Sequence, residues 1–235
     1  MVLNQAELKK HLKEVDLFTF LTEDQFNQLV AAAAQKKLAK NEVLFLEGDP
    51  GEAMFIILEG AVQVYTLSPE GKEKILAILG QGDLLGELSL LDGEPRSATA
   101  QALEPTRLAV IDRAQFERFI RENSEVALIL LRDLAHRLRQ TDAHLQDLVF
   151  KDIQSRLAKV LLDLAEDYGE NTSQGVKIKL KLTHQQLANY VGSTRETVTR
   201  TLLAFQDAGY VGFDQRFLVI TDPETLQQIA DGEPK

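Results

Sequence analysis

Eight of the fourteen glycines fall between Gly48 and Gly93, and four of the six prolines between Pro50 and Pro105. A segment so dense in residues that free φ or remove an N–H donor does not sustain a helix of ordinary length. Between these breakers lie short apolar runs at residues 43–46, 54–58, 61–66, 74–79, 97–102 and 106–111. Short strands punctuated by Gly/Pro turns at near-regular spacing predict a small all-β barrel or roll. Residues 84–91 are too Leu-rich and Gly-flanked for a strand, and read better as a short helix.

Helices flank this region. Residues 4–36 read as helical, with Leu8, Leu12, Val15 and Leu17 at mixed helical spacing, and Thr22-Glu23-Asp24-Gln25 is a capping box opening a second helix. Asp112-Arg113-Ala114-Gln115 is another, leading a short helix through Phe116, Phe119 and Ile120. One long helix is then predicted from Ser124 to Phe150, about 40 Å at 1.5 Å per residue. Along it Ala127, Leu131, Leu134, Leu138, Leu145 and Leu148 follow a heptad seam, which predicts a parallel helix pair and hence a homodimer. The seam is broken at Thr141, with Asp142 beside it. A polar residue there either fixes register or meets a ligand.

Beyond the long helix, residues 153–164 form an amphipathic helix ended by Gly169. Residues 176–182 alternate apolar and basic, predicting a half-buried strand with a basic outer face. Residues 183–203 hold a capped helix, a Gly-Ser-Thr turn and a second capped helix with apolar positions Val198, Leu202 and Phe205. That is the spacing of a helix-turn-helix, and residues 211–220 read as a β-hairpin wing. Arg195, Glu196, Thr199 and Arg200 lie on the first turns of the second helix, where such a helix reads bases, Arg toward guanine and Glu toward cytosine. The alternative is the solvated face of an ordinary helical hairpin.

A net charge of −10 argues against nucleic acid only until its distribution is read. Residues 1–150 carry 24 acidic and 16 basic side chains, whereas residues 151–218 carry 8 and 9. The acid belongs to the front of the chain. No apolar run is long enough for a membrane span, no basic-then-apolar leader opens the chain, and no cysteine is present, which together predict a cytoplasmic protein without disulfides or thiolate metal sites. His11, His136, His144 and His184 form no recognisable ligand cluster, and no nucleophile–base pair or P-loop points to an enzyme.

The chemistry concentrates in Gly86-Glu87-Leu88 and Arg96-Ser97. A guanidinium in a strand-like, apolar run is costly unless paired, so an anion is expected beside it. A phosphate fits: Arg96 can bind it bidentately, Ser97 adds a hydroxyl, and a Gly-Glu helix start offers backbone N–H groups. Glu87 repels phosphate and suits a sugar hydroxyl. An internal Glu87–Arg96 ion pair is the alternative.

At these residues the chain resembles the cAMP receptor protein (catabolite activator) branch of the bacterial cyclic-nucleotide-responsive transcription regulators. Gly86-Glu87-Leu88 with Arg96-Ser97 is similar to that family's phosphate-binding cassette, and Arg195-Glu196-Thr197-Val198 with Arg200 to its recognition helix. The resemblance implies an α+β protein: a cyclic-nucleotide-binding β-roll over residues 1–123, a dimerisation helix over 124–150 and a winged helix-turn-helix over 151–235. It implies cAMP as effector, with backbone contacts from Gly86 and Leu88, ribose held by Glu87, phosphate by Arg96 and Ser97, and adenine met by Thr141. The following position, usually serine, is Asp142 here, which leaves the base contact open. The implied DNA contacts are base readout by Arg195, Glu196 and Arg200, with Thr199 beside them on the DNA-binding face, and backbone contact by Thr183, Gln185 and Thr194. Partners so implied are a near-palindromic double-stranded operator, a second copy of the chain and RNA polymerase, with no metal and no membrane. Rival readings are the same architecture with another effector, such as a cyclic dinucleotide or organic acid, and a regulatory subunit acting on protein.

Overall fold

The computed structural model describes residues 5–13, 15, 18 and 21–232. Asn4 and Leu17, placed in the expected N-terminal helices, lie outside them. The chain divides into two compact units, Met1–Gly71 with Leu76–Leu138, and Lys72–Ile75 with Arg139–Lys235.

The first unit opens with helices α1 (Gln5–Lys13) and α2 (Glu23–Ala32). The expected capping box forms at α2, where Gln25 N donates to Thr22 Oγ1 and Thr22 N to Gln25 Oε1. Eight strands follow: β1 (Ala34–Leu38), β2 (Val43–Phe45), β3 (Ala53–Glu59), β4 (Val62–Leu67), β5 (Glu73–Leu79), β6 (Leu84–Leu85), β7 (Thr99–Ala102) and β8 (Thr106–Asp112). They form two four-stranded sheets, ordered β1-β8-β3-β6 and β2-β7-β4-β5. The expected strands all appear, within two residues at either end. The helical reading fails at Ala34, where strand pairing of Ala34–Leu38 with residues 106–110 of β8 overrides an alanine-rich helical preference.

Strand β3 explains why residues 54–58 are apolar without alternation. Met54, Ile56 and Leu58 face the helices, packing with Leu8, Leu12 and Phe26, while Phe55 and Ile57 pack between the sheets with Val62 and Leu108. Both faces of the strand are buried. A five-residue helix, α3 (Leu88–Asp92), stands between β6 and β7 and ends at Gly93, at φ 78°. Helix α4 (Arg113–Glu122) carries the expected Asp112/Gln115 capping box. Helix α5 runs from Ser124 to Phe150, as the sequence predicts. Its Val126 and Leu130 are buried in the first unit's core.

The second unit holds the end of α5, then α6 (Ile153–Tyr168), β9 (Gly169–Thr172), β10 (Gly175–Ile178), α7 (His184–Val191), α8 (Arg195–Asp207), β11 (Val211–Asp214), β12 (Phe217–Ile220) and α9 (Pro223–Asp231). Strand β10 is shorter than the alternation predicts: it ends at Ile178, and Lys179 N turns away to bond Tyr168 O at 2.9 Å. The basic outer face is partly neutralised, since Lys177 pairs with Asp214 and Lys179 with Glu170. The turn between α7 and α8 rests on Gly192, whose φ of 71° is left-handed. Val198, Leu202 and Phe205 anchor α8 in the core, as their spacing predicts.

Candidate functional site

The cassette lies where β6 gives way to α3 and where the chain enters β7. Gly86 turns there at φ 80°, and a Cβ on it would stand 2.5 Å from Arg96 Nη1, so only glycine admits the guanidinium. Arg96 is 5% exposed. Its Nη1 donates to Gly86 O and its Nη2 to Ala53 O, both at 2.6 Å. The rings of Phe45 and Phe55 lie 4.3 and 5.8 Å from its guanidinium carbon. Burial lowers the Arg96 pKa, with Glu87 and Asp49 opposing the shift. The group stays cationic.

Glu87 is 2% exposed and does not pair with Arg96. Its Oε1 accepts from Arg137 Nη1 at 3.0 Å, while Arg137 Nη2 donates to Leu84 O at 2.9 Å and Nε faces Asp133 at 3.1 Å. Burial raises the Glu87 pKa, and Arg137 is the main opposing influence. The internal Glu87–Arg96 pair weighed from sequence is therefore excluded. Instead, Glu87 Oε2 and Arg96 Nε are both buried without a hydrogen-bond partner. A buried orphan acceptor and a buried orphan donor each carry a desolvation cost of about 1–3 kcal/mol. The first can accept from a hydroxyl; the second can donate to an anion.

Gly86, Glu87 and Arg96 come together as expected. Leu88 is exposed at the start of α3, and Ser97 is exposed just before β7 rather than inside it. Thr141 and Asp142 are exposed on α5, in the second unit. Thr141 follows Arg137 by four residues, so the two share a face of that helix.

Sequence reasoning missed two arginines. Arg137 carries no motif of its own; its i+4 relation to Thr141 was the available signal. Arg113, read as part of a capping box, also donates to Gly51 O at 2.7 Å, Ser89 O at 3.0 Å and Leu90 O at 3.3 Å. It thereby ties the loop before β3 to α3. Gly51 is required in that loop, because a Cβ there would stand 2.2 Å from Ser89 Cβ.

In the second unit, Arg195, Glu196, Thr199 and Arg200 line one shallow groove along α8, with Leu203 and Asp207 beyond them. Thr199 is also held from below, its Oγ1 lying 2.8 Å from His184 Nδ1. Thr183 and Thr194 are the N-caps of α7 and α8, accepting from Gln186 N and Thr197 N. Gln185 Nε2 donates to Asn189 Oδ1 at 2.8 Å. The groove thus presents two cations, Arg195 and Arg200, and two carboxylates, Glu196 and Asp207, on the exposed side of the helix that follows the turn, the side a helix-turn-helix can offer to a major groove. Among the described residues no helix is long and apolar enough to cross a membrane. None of their His, Cys, Asp and Glu side chains form a group of three or more that could hold a metal ion.

Comparison with known proteins joins these two sites. Residues 35–123 match the cyclic nucleotide-binding domain family, and residues 155–229 the Crp-like helix-turn-helix domain family. The CRP-like cAMP-activated global transcriptional regulator of Mycobacterium tuberculosis is 36% identical, over 81% of this chain and 85% of its own length. The global nitrogen regulator of a Nostoc species is 35% identical, over 80% and 86%. Of solved structures, FixK2 from Bradyrhizobium japonicum aligns with a TM-score of 0.76 at 26% identity, covering 84% of this chain and 96% of that one. The two sequence relatives are regulators rather than enzymes. This chain belongs to the family of CRP-like transcription regulators, DNA-binding proteins that carry a cyclic nucleotide-binding domain.

Proposed function

We propose that the protein is a homodimeric transcription regulator switched by cAMP. The observation that carries this reading is the pair of orphaned buried atoms, Arg96 Nε and Glu87 Oε2. With Oε1 held by Arg137, Glu87 keeps one lone-pair set for a ribose 2′-hydroxyl, and Arg96 keeps one donor for a singly charged phosphate. Ser97 adds a hydroxyl to the phosphate, and Gly86 and Leu88 backbone contacts. Thr141 and Asp142 meet the base, as acceptors for the adenine amino group. The functional segments are residues 1–123 for the nucleotide, 124–150 for the dimer and 151–235 for DNA.

The dimer reading rests on α5. Leu131, Leu138 and Leu145, spaced by seven, are 60%, 63% and 62% exposed in the single chain. A second copy would cover that seam. Two α8 helices would then enter successive major grooves about 34 Å apart on a near-palindromic operator. Arg195, Glu196, Thr199 and Arg200 read bases, while Thr183, Gln185 and Thr194 touch phosphates. RNA polymerase is the protein partner of such a cytoplasmic regulator.

A ligand shifts this equilibrium only through its preference for the DNA-competent state. Moving from 1:99 to 99:1 takes about 5.5 kcal/mol. Charge-assisted hydrogen bonds contribute about 1.5–3 kcal/mol each, so a few contacts at Glu87 and Arg96 suffice.

Asp142 favours one second reading, a different effector in the same site, because a carboxylate beside the base changes which donors it accepts. Calorimetry with cAMP, cGMP and a cyclic dinucleotide tests both. Saturable cAMP binding that is lost in Arg96→Leu, with the fold retained, is expected. Near-normal affinity in that variant would sink the assignment, and preference for another ligand would support the second reading.

A further inference from the structure

The wing and the helix-turn-helix leave space between them. A cavity of about 420 Å³ lies among α6, β10, the start of α7, α8 and the β11–β12 hairpin. Its floor is the core of this unit: Leu161, Leu164, Leu180, Leu187 and Leu202 are all buried. Its mouth is formed by half-buried Leu182 and Leu218 and exposed Phe213. Only two polar side chains line it, His184 and Arg216, and none of its lining residues is acidic.

Close-packed interiors hold few voids larger than a water molecule, and an apolar one resists wetting. The volume falls in the range of small-molecule sites, which combine apolar walls with a few convergent polar groups. At about 30 Å³ of liquid per water, it corresponds to about fourteen heavy atoms.

The cation at the mouth is held there by the backbone. Gln215 and Arg216 form the two-residue wing turn with φ of 47° and 76°, both left-handed although neither is glycine. Among the described residues Arg216 takes part in no ion pair, whereas nearby Lys177 is occupied by Asp214. An apolar floor with an arginine at its mouth is complementary to an amphipathic anion.

We propose that this cavity is a second ligand site, specific for a medium-chain monocarboxylate whose chain lies on the leucine floor and whose carboxylate meets Arg216. The site is separate from Glu87 and Arg96 and does not rest on the cyclic-nucleotide reading. Its occupant would lie against His184, the residue that braces Thr199 on the exposed face of α8. Filling the cavity would therefore adjust DNA affinity at the reading helix itself.

Calorimetry with decanoate, below its micelle concentration and on the full chain, tests this. Expected is saturable binding of one decanoate per chain, unchanged in Arg96→Leu. Arg216→Asn keeps a residue that tolerates left-handed φ and removes the charge. It should weaken decanoate about tenfold, the loss of one charge-assisted contact, and leave the uncharged analogue decanol unaffected. Leu182→Phe, which fills the mouth, should abolish both. No saturable decanoate binding, equal affinity in Arg216→Asn, or full binding in Leu182→Phe would each overturn the site. If Leu182→Phe fails to fold, Arg216→Asn, in an exposed turn, still decides it.

Discussion

Glu87 and Arg137 form a 3.0 Å ion pair that joins the cassette to α5 within the first unit, with the carboxylate 2% exposed. The pair uses one carboxylate oxygen and leaves the other without a partner. Removing Arg137 would leave a buried carboxylate with no hydrogen-bonded cation. Because Arg137 is itself partly exposed, the expected cost of Arg137→Gln is about 1–3 kcal/mol, below the range for a fully buried pair. Urea unfolding measures it, and Glu87→Gln/Arg137→Gln should recover most of the loss. Additive losses in the double variant would show that the two residues do not act as a pair.

The acid–base behaviour of Glu87 has a definite sign. Burial outweighs Arg137, so the folded pKa lies above the unfolded one. The fold favours the neutral acid: this contribution is present in full below the unfolded pKa and is lost as pH rises through the folded pKa. Glu87→Gln mimics the neutral form at every pH. The ligand-free variant should match the parent below about pH 4 and exceed its Tm at pH 7, while binding cAMP more weakly. A variant less stable than the parent at pH 7 would mean that the Arg137 pair outweighs desolvation.

The α5 seam predicts a concentration-dependent dimer. Leu138→Glu and Leu145→Glu place like charges opposite each other in a parallel pair and should each give monomers in sedimentation equilibrium. Dimers persisting in both variants would move the interface elsewhere.

The caps of α7 and α8 separate stability from DNA contact. Thr194→Ala should cost about 1 kcal/mol of stability and Thr194→Asp should restore it, since either Thr or Asp can accept from Thr197 N. If Thr194 touches the DNA backbone as proposed, the aspartate variant should bind DNA worse than alanine, because its carboxylate would repel the phosphates. Equal binding by the two would remove Thr194 from the interface.

Glu196→Ala should relax preference at one base pair by about 1–3 kcal/mol without changing the salt dependence of binding. A loss spread over all sequences would make Glu196 a positioning residue rather than a reader.

The local grammar of the chain was legible. Breakers at residues 48–105 gave the strands, capping boxes at Thr22 and Asp112 gave helix starts, and α5 was bounded correctly at both ends. What escaped depended on tertiary partners. Ala34 joins a strand because β8 offers pairing there. Strand β10 stops at Ile178 because Lys179 N finds Tyr168 O. In the site, glycine and arginine spacing announced Gly86, Glu87 and Arg96. Arg113 and Arg137 reach it from 17 and 41 residues beyond Arg96, and the one local hint was the i+4 step from Arg137 to Thr141.

Strand β3 has a consequence outside the native state. Met54–Leu58, buried on both faces, is an uncharged, proline-free segment with strong β preference. Released by heat, it is a stretch suited to cross-β association with its copies. The charges at Glu52 and Glu59 flank it as gatekeepers, and both are acidic, so their protection fades on acidification. Thermal unfolding of this protein should therefore turn irreversible as pH falls toward the carboxylate range, with an apparent Tm that depends on scan rate.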